Sequence, residues 1–328
     1  MTPETLASNA NIALYAAMVV FTLAMLAFAG HLAARAPRRA VARERVLVGA
    51  DGAEVPAALA GAPAASAADG ADAPESATSR QRGSVGLMLT YLGTVLLVAS
   101  VLMRGLAVSR PPWGNMFEFA TASAAALGVT FSLLARRNRW EWLGVFVVAP
   151  ILLVLGLSLT VLYTEAGELM PALRSYWLGI HVSVAFIAVA IFAIAFIIGL
   201  LYLVRARREE KPPAKPNFIE SLPTASKLEQ TAYSLNMVGF ILWTFTVIAG
   251  AIWAKEAWGA YWQWDPKEVW SFVIWTVYAA YMHGRATAGV DLRKSTYIAL
   301  AGYVAVILNF TLVNLMSTFA GMHNYSGT

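Results

Sequence analysis

The sequence contains no cysteine, which removes disulfides, thiolate metal sites and any thiol redox chemistry of its own. Redox work that its pathway requires must come from a partner. Charge is scarce too. Only 13% of the 328 residues are charged, where a soluble domain carries about a quarter. The chain is 59% hydrophobic, with a mean hydropathy of +0.60. These shortages exclude a soluble globular domain and predict an all-α polytopic membrane protein. The net charge of +5 does not imply nucleic-acid binding, because the basic residues are parcelled out between apolar segments as membrane topology demands. No internal repeat stands out.

Apolar runs of roughly bilayer length occur at 11–34, 85–107, 116–135, 142–162, 177–204, 233–254, 268–287 and 296–317, predicting about eight transmembrane helices. No basic residue precedes the first run, and Arg35, Arg38, Arg39, Arg43 and Arg45 follow it. That order opposes a cleavable signal peptide and predicts a retained helix with its N-terminus outside. Of 24 Lys and Arg, five (Arg104, Arg110, Arg174, Lys255 and Lys267) then fall on the outer side, leaving 19 inside. Both termini and a tryptophan-rich loop are therefore expected outside. The expected organisation is a first helix with a basic inner end (1–45), a disordered inner linker (46–84) rich in Ala, Gly, Pro and Ser, and a seven-helix domain (85–328).

Six of the eleven tryptophans lie in the stretch 253–275, WAKEAWGAYWQWDPKEVWSFVIW: Trp253, Trp258, Trp262, Trp264, Trp270 and Trp275. Indole rings favour the membrane–water boundary, so part of this set reads as an interfacial belt. Six on one face exceed what anchoring requires and suit a platform for a large planar ligand. Within the stretch, Asp265-Pro266-Lys267-Glu268 is an aspartate form of the capping box, predicting a helix that starts at Pro266. Its N–H groups and dipole suit an anionic ligand group, although a well-capped helix alone explains the motif. Two other outer segments are distinctive: the turn from Arg110 to Glu118, and 163–176, which is mildly amphipathic.

There are four histidines. His181, in the first turns of the fifth run, and His323, after the eighth, share the outer level with the tryptophan loop. Paired imidazoles from separate helices are a haem-iron ligand set. His283, at the inner end of the seventh run, and His31, at the inner end of the first, lie in another layer, where interfacial hydrogen bonding is the plain alternative.

WGAYWQWDPKEVWS, with His181 and His323, the PPWGNMFEF turn, YMHGR and GMHNY, resembles the tryptophan-rich WWD signature of cytochrome c maturation. The chain from 85 to 328 is similar to the CcsA/ResC family, called CcsB in actinobacteria. The resemblance implies a multi-pass protein of the cell (plasma) membrane, active on its extracytoplasmic face. It would move haem b outward and present it to apocytochrome c as a subunit of a System II cytochrome c synthase (haem lyase). Implied partners are a ResB-type membrane subunit, apocytochrome c and a thiol-reducing membrane or thioredoxin-like protein of the same pathway. By the same resemblance His181 and His323 would be axial ligands, with Trp258, Trp262, Trp264, Asp265 and Trp270 around the ligand. His283 would belong to an inner haem site. The residues assign no catalytic group. An electron-transfer subunit with b-type haem and a non-haem solute transporter remain the alternatives. Facing bis-histidine pairs would favour the first, and broken helices with midplane charges the second.

Overall fold

The computed structural model describes residues 2–47, 77–165, 175–211, 217–287 and 289–315. These form eight α-helices and, among the described residues, no strand. The helices are α1 (Pro3–Leu47), α2 (Ala77–Ala107), α3 (Met116–Asn138), α4 (Gly144–Thr160), α5 (Tyr176–Glu210), α6 (Ala225–Trp258), α7 (Pro266–Ala286) and α8 (Leu292–Leu315). Short 3-10 turns at Glu141–Leu143 and Phe218–Ser221 precede α4 and α6. Each of the eight apolar runs is a helix. Several helices continue past their runs, since polar residues such as Arg205 to Glu210 keep the helical hydrogen bonds where the chain leaves the apolar layer. Residues 77–84, expected in the linker, are the first turns of α2, while 48–76 lie outside the described residues.

Helix ends follow local chemistry. Asn115 caps α3 by accepting from the Glu118 N–H at 2.9 Å, and Ser175 caps α5 by accepting from the Trp177 N–H at 3.2 Å. Such caps satisfy donors that have no partner within the helix. Six helices, α1 to α6, are long and apolar enough to cross a membrane. Helix α7 has 21 residues, a rise of roughly 32 Å, comparable with a bilayer core. Outward faces are apolar, with Ile12, Leu133, Val95 and Ile241 all exposed. In a multi-pass membrane protein these faces meet lipid.

The helices run up and down in two groups. Helices α1 to α4 share one core, which contains Phe21, Phe28, Leu97, Phe131 and Ile151. Close approach there depends on glycine: a Cβ at Gly86 or Gly144 would lie 2.7 or 2.4 Å from the Phe28 ring. Helices α5 to α8 form a second core, in which Phe192 of α5 stacks on Tyr278 of α7 with centroids 3.9 Å apart. Helix α5 joins the groups, packing on α3 as well as on α6 and α8. Its start, with that of α3 and α7 and the ends of α6 and α8, lies at one end of the molecule, the tryptophan end. The opposite end carries the ion pairs Arg285–Glu229 and Arg208–Glu220.

Candidate functional site

The tryptophan-rich stretch divides into helix, loop and helix. Gly259, at φ +82°, stops α6 in the left-handed conformation and donates its N–H to Lys255 O at 3.0 Å. That conformation costs glycine little. Lys255 Nζ donates to Gly259 O at 2.7 Å and lies over the Tyr261 ring. At the far side the predicted capping box is complete, with Pro266 at the first helical turn. Glu268 Oε2 accepts from the N–H groups of Asp265 and Gln263 at 3.2 and 2.8 Å, and Asp265 accepts from Lys267 N–H at 3.1 Å. The loop is therefore tied to both flanking helices.

Below the loop is a cavity of about 1060 Å³, counting its open mouth. Five helices and two connecting segments contribute walls. The turn before α3 supplies Trp113, and α3 supplies Phe119. From α5 come Leu178, His181, Val182 and Ala185. Helix α6 contributes Trp243, Thr246, Gly250 and Trp253, with Tyr261 and Trp262 from the loop. Lys267, Glu268 and Ser271 of α7 and Asn309 and Phe310 of α8 close it. The walls are mainly aromatic and aliphatic, with a few polar groups converging.

His181 is held in a defined orientation. Its Nδ1 lies 2.8 Å from Thr246 O. A carbonyl only accepts, so Nδ1 carries the proton and Nε2 bears the lone pair in the neutral ring. Metal-ligating imidazoles are characteristically fixed this way by a backbone carbonyl. Trp253 stacks nearly parallel to the ring, at 6.1 Å and 17°. Gly250 lets α6 approach, since a Cβ there would sit 2.8 Å from His181 Cε1.

A second polar group lies beside the cavity. Glu118, fully buried, receives Arg104 Nε at 3.0 Å, Arg110 Nη1 at 2.6 Å, Arg110 Nη2 at 3.0 Å and the Gly114 N–H at 2.8 Å. Arg104 also donates to Thr164 O and lies over the Phe117 ring. The network ties the turn 110–115 to α3 and so sets Trp113, whose ring meets Phe186 of α5 edge-on at 6.5 Å.

The residues singled out in the sequence are dispersed. His181 and Trp262 line the cavity. Asp265 is the buried cap of α7. Trp258 packs edge-on against Trp253 at 4.8 Å. Trp270 packs against the α5–α8 core. Trp264 is 75% exposed, at φ +59°, with its ring edge-on to Trp262. His323 lies outside the described residues. His283 is exposed in the last turn of α7, roughly 25 Å along the helix from Asp265. His31 is buried between α1 and α2, its Nδ1 2.8 Å from Ser79 O and its Nε2 3.5 Å from Arg35 Nη1. Helix α1 packs on α2 and α4, whereas α7 packs on α6 and α8. Among the described residues no group of three or more His, Cys, Asp and Glu side chains is placed to hold a bare metal ion.

Sequence reasoning missed Trp243, Phe119, Asn309 and Phe310. A signal existed on α6, where 243, 246, 247, 250, 251 and 254 repeat at helical spacing on one face.

Comparisons with known proteins bear on family and fold. Residues 113–320 match the cytochrome C assembly protein family. A cytochrome c biogenesis protein CcsA from Synechococcus sp. (strain CC9902) is 30% identical over 277 residues, covering 76% of this chain and 89% of that one. CcsA from Chlamydomonas reinhardtii is 38% identical over 162 residues, or 49% of this chain and 44% of that one. Among solved structures, the cytochrome c heme lyase CcmF superposes with a TM-score of 0.61 at 14% identity. That match spans 95% of this chain but 47% of the lyase, so the likeness is one of fold.

Proposed function

This chain belongs to the cytochrome C assembly protein family and is a multi-pass membrane protein of c-type cytochrome maturation; on that premise we propose that its aromatic cavity holds haem b for attachment to apocytochrome c. The observation that carries the proposal is His181, oriented by the Thr246 carbonyl in the wall of a large aromatic cavity. His181 supplies one axial nitrogen, and His323 is the proposed second. Trp253, Trp243 and Trp262 exclude water and offer ring faces. The tryptophan end is the extracytoplasmic side, in keeping with the distribution of basic residues, and the membrane is the plasma membrane.

Haem brings the reactive vinyl groups. A cysteine S–H of apocytochrome c adds across each one, the sulfur bonding to one vinyl carbon and the hydrogen reaching the other, with no net redox change. This chain's residues contribute orientation and exclusion of water, a positioning effect worth several orders of magnitude in rate. Cysteine must arrive reduced, and the chain has no thiol for that task; a thioredoxin-like or thiol-reducing membrane partner fills it.

His283, exposed at the opposite end of α7, is proposed as an inner haem ligand, its counterpart coming from a ResB-type subunit packed on that face. The burial of His31 between α1 and α2, with a hydrogen bond to Ser79, supports a role in helix packing. The separation of α1 from α7 weighs against a stacked bis-histidine electron-transfer arrangement. The haem-handling unit is proposed to comprise the seven helices α2 to α8, connected to the first helix by the residues before α2.

Replacing His181 with Gly tests the proposal. Haem per folded protein should fall and its absorption spectrum change, with added imidazole restoring part of both. An unchanged spectrum and undiminished holocytochrome c yield in the His181→Gly, His323→Gly double variant would remove the site from the pathway.

A further inference from the structure

Three of the cavity's polar atoms are buried without a hydrogen-bond partner among the described residues: Trp113 Nε1, Asn309 Oδ1 and Glu268 Oε1. A buried polar atom without a partner carries a desolvation cost, so native proteins rarely keep one. Two of the three, on Trp113 and Asn309, point to a ligand whose own polar groups complete them, whereas Glu268 Oε1, an acceptor when ionised, is not met by an anion. Asn309 is 1% exposed, on α8 beside Phe310. Its amide oxygen and nitrogen are interchangeable by rotation about the last side-chain bond, so it can present a donor as readily as an acceptor. Trp113 Nε1 can only donate. Lys267 lies in the same wall, with Nζ 5.2 Å from the Phe310 ring centroid and 5.9 Å from that of Phe119. Glu268, an acceptor, repels an anion and keeps it toward the other three.

We propose that Asn309, Lys267 and Trp113 form an anion subsite that takes the carboxylates of the planar ligand. The inference rests on the haem reading above and extends it to orientation. With its two propionates turned into the wall formed by α3, α7 and α8, haem presents its opposite edge elsewhere. That edge carries the vinyl groups, which can then face the cavity mouth and an arriving thiol. The subsite thus selects which edge of a nearly symmetric disc is offered. Lys255, bonded to Gly259 O and set over Tyr261 outside the cavity, takes no part.

The test compares haem with haem dimethyl ester, which lacks both negative charges but keeps the iron and the ring. Each is titrated into the purified full-length chain in detergent micelles and followed by absorbance. Wild type should bind the free acid about tenfold or more tightly than the ester, the scale of one or two charge-assisted hydrogen bonds. Asn309→Leu and Trp113→Phe should each weaken binding of the free acid several-fold more than binding of the ester, so that the ratio falls, while the iron-ligand spectrum of the ester complex keeps its form. Equal affinities for acid and ester in wild type would overturn the subsite while sparing the haem site, and would assign the three polar atoms to water. Failure to bind either porphyrin would overturn both.

Discussion

Two buried polar groups sit side by side at the tryptophan end, and they differ in how completely they are satisfied. Around Glu118 every partner comes from the protein: two arginines, a backbone N–H and a carbonyl on the far side of Arg104. In the cavity next door Trp113, Asn309 and Glu268 each retain an atom with no partner among the described residues. The first pattern is that of structure, since the charges are paired and further hydrogen bonds complete them. The second is that of a binding site. Trp113 belongs to both, because the Glu118 network fixes the turn from which its ring reaches the cavity. The stable group thereby holds the unsatisfied one in shape, as a preorganised site requires.

The largest expected effect comes from breaking the satisfied group. Glu118→Ala removes the buried carboxylate that two arginines share, a loss of about 3–5 kcal/mol. Thermal unfolding in detergent should show a large drop, and membranes should hold less folded protein. Glu118→Gln keeps the shape and an acceptor, so its loss should be smaller. An Ala variant as stable as the parent would mean that both arginines turn to solvent, and the distinction between the two groups would lapse.

A matched pair of glycine substitutions sharpens the contrast. In Gly250→Ala the new Cβ would lie 2.8 Å from His181 Cε1, and in Gly128→Ala it would lie 2.9 Å from Thr94 Oγ1. Both crowd a helix contact to a similar degree, and each should cost about 1–3 kcal/mol of stability. Only Gly250→Ala tilts the imidazole and strains its bond to Thr246 O. Its bound haem should therefore show a shifted absorption spectrum and weaker retention, while Gly128→Ala keeps the parent spectrum. Identical spectra in the two variants would place His181 away from the iron.

Local chemistry is what the sequence revealed best. Eight apolar runs became eight helices, and Asp265-Pro266-Lys267-Glu268 formed the expected capping box, because both depend on residues close in the chain. Contacts between distant residues were less legible. Trp113, Trp243 and Phe310 meet in one cavity although well over a hundred positions separate the first from the second. Conversely, neighbours in sequence parted in space. Between Trp258 and Trp264 the chain turns through two left-handed residues, Gly259 and Trp264, and consecutive indoles point to different surroundings. A density of tryptophan marked the end of the molecule where the cavity lies without saying which rings face inward. His181 was singled out by its depth in α5, whereas the carbonyl that accepts from it belongs to α6 and left no mark in the sequence.

The smallest effect belongs to Trp264, and its value lies in the comparison with Trp262 two residues earlier. The two rings touch edge-on at 5.8 Å, yet Trp262 lines the cavity and Trp264 is 75% exposed. If tryptophan in this loop serves only to anchor the chain at the interface, the exposed ring is the better anchor, and losing either should leave ligand binding alone. If the cavity wall is what matters, Trp262→Leu should lower haem affinity by about 0.5–1.5 kcal/mol, the usual worth of one aromatic contact, or roughly two- to tenfold. Trp264→Leu should then fall within about 0.5 kcal/mol of the parent, as surface substitutions do. Both variants should reach the membrane in normal amounts, so haem per folded protein isolates the difference. A Trp264 variant as impaired as the Trp262 variant would show that the exposed ring also meets a ligand or partner, and the cavity would then extend to the surface of the loop.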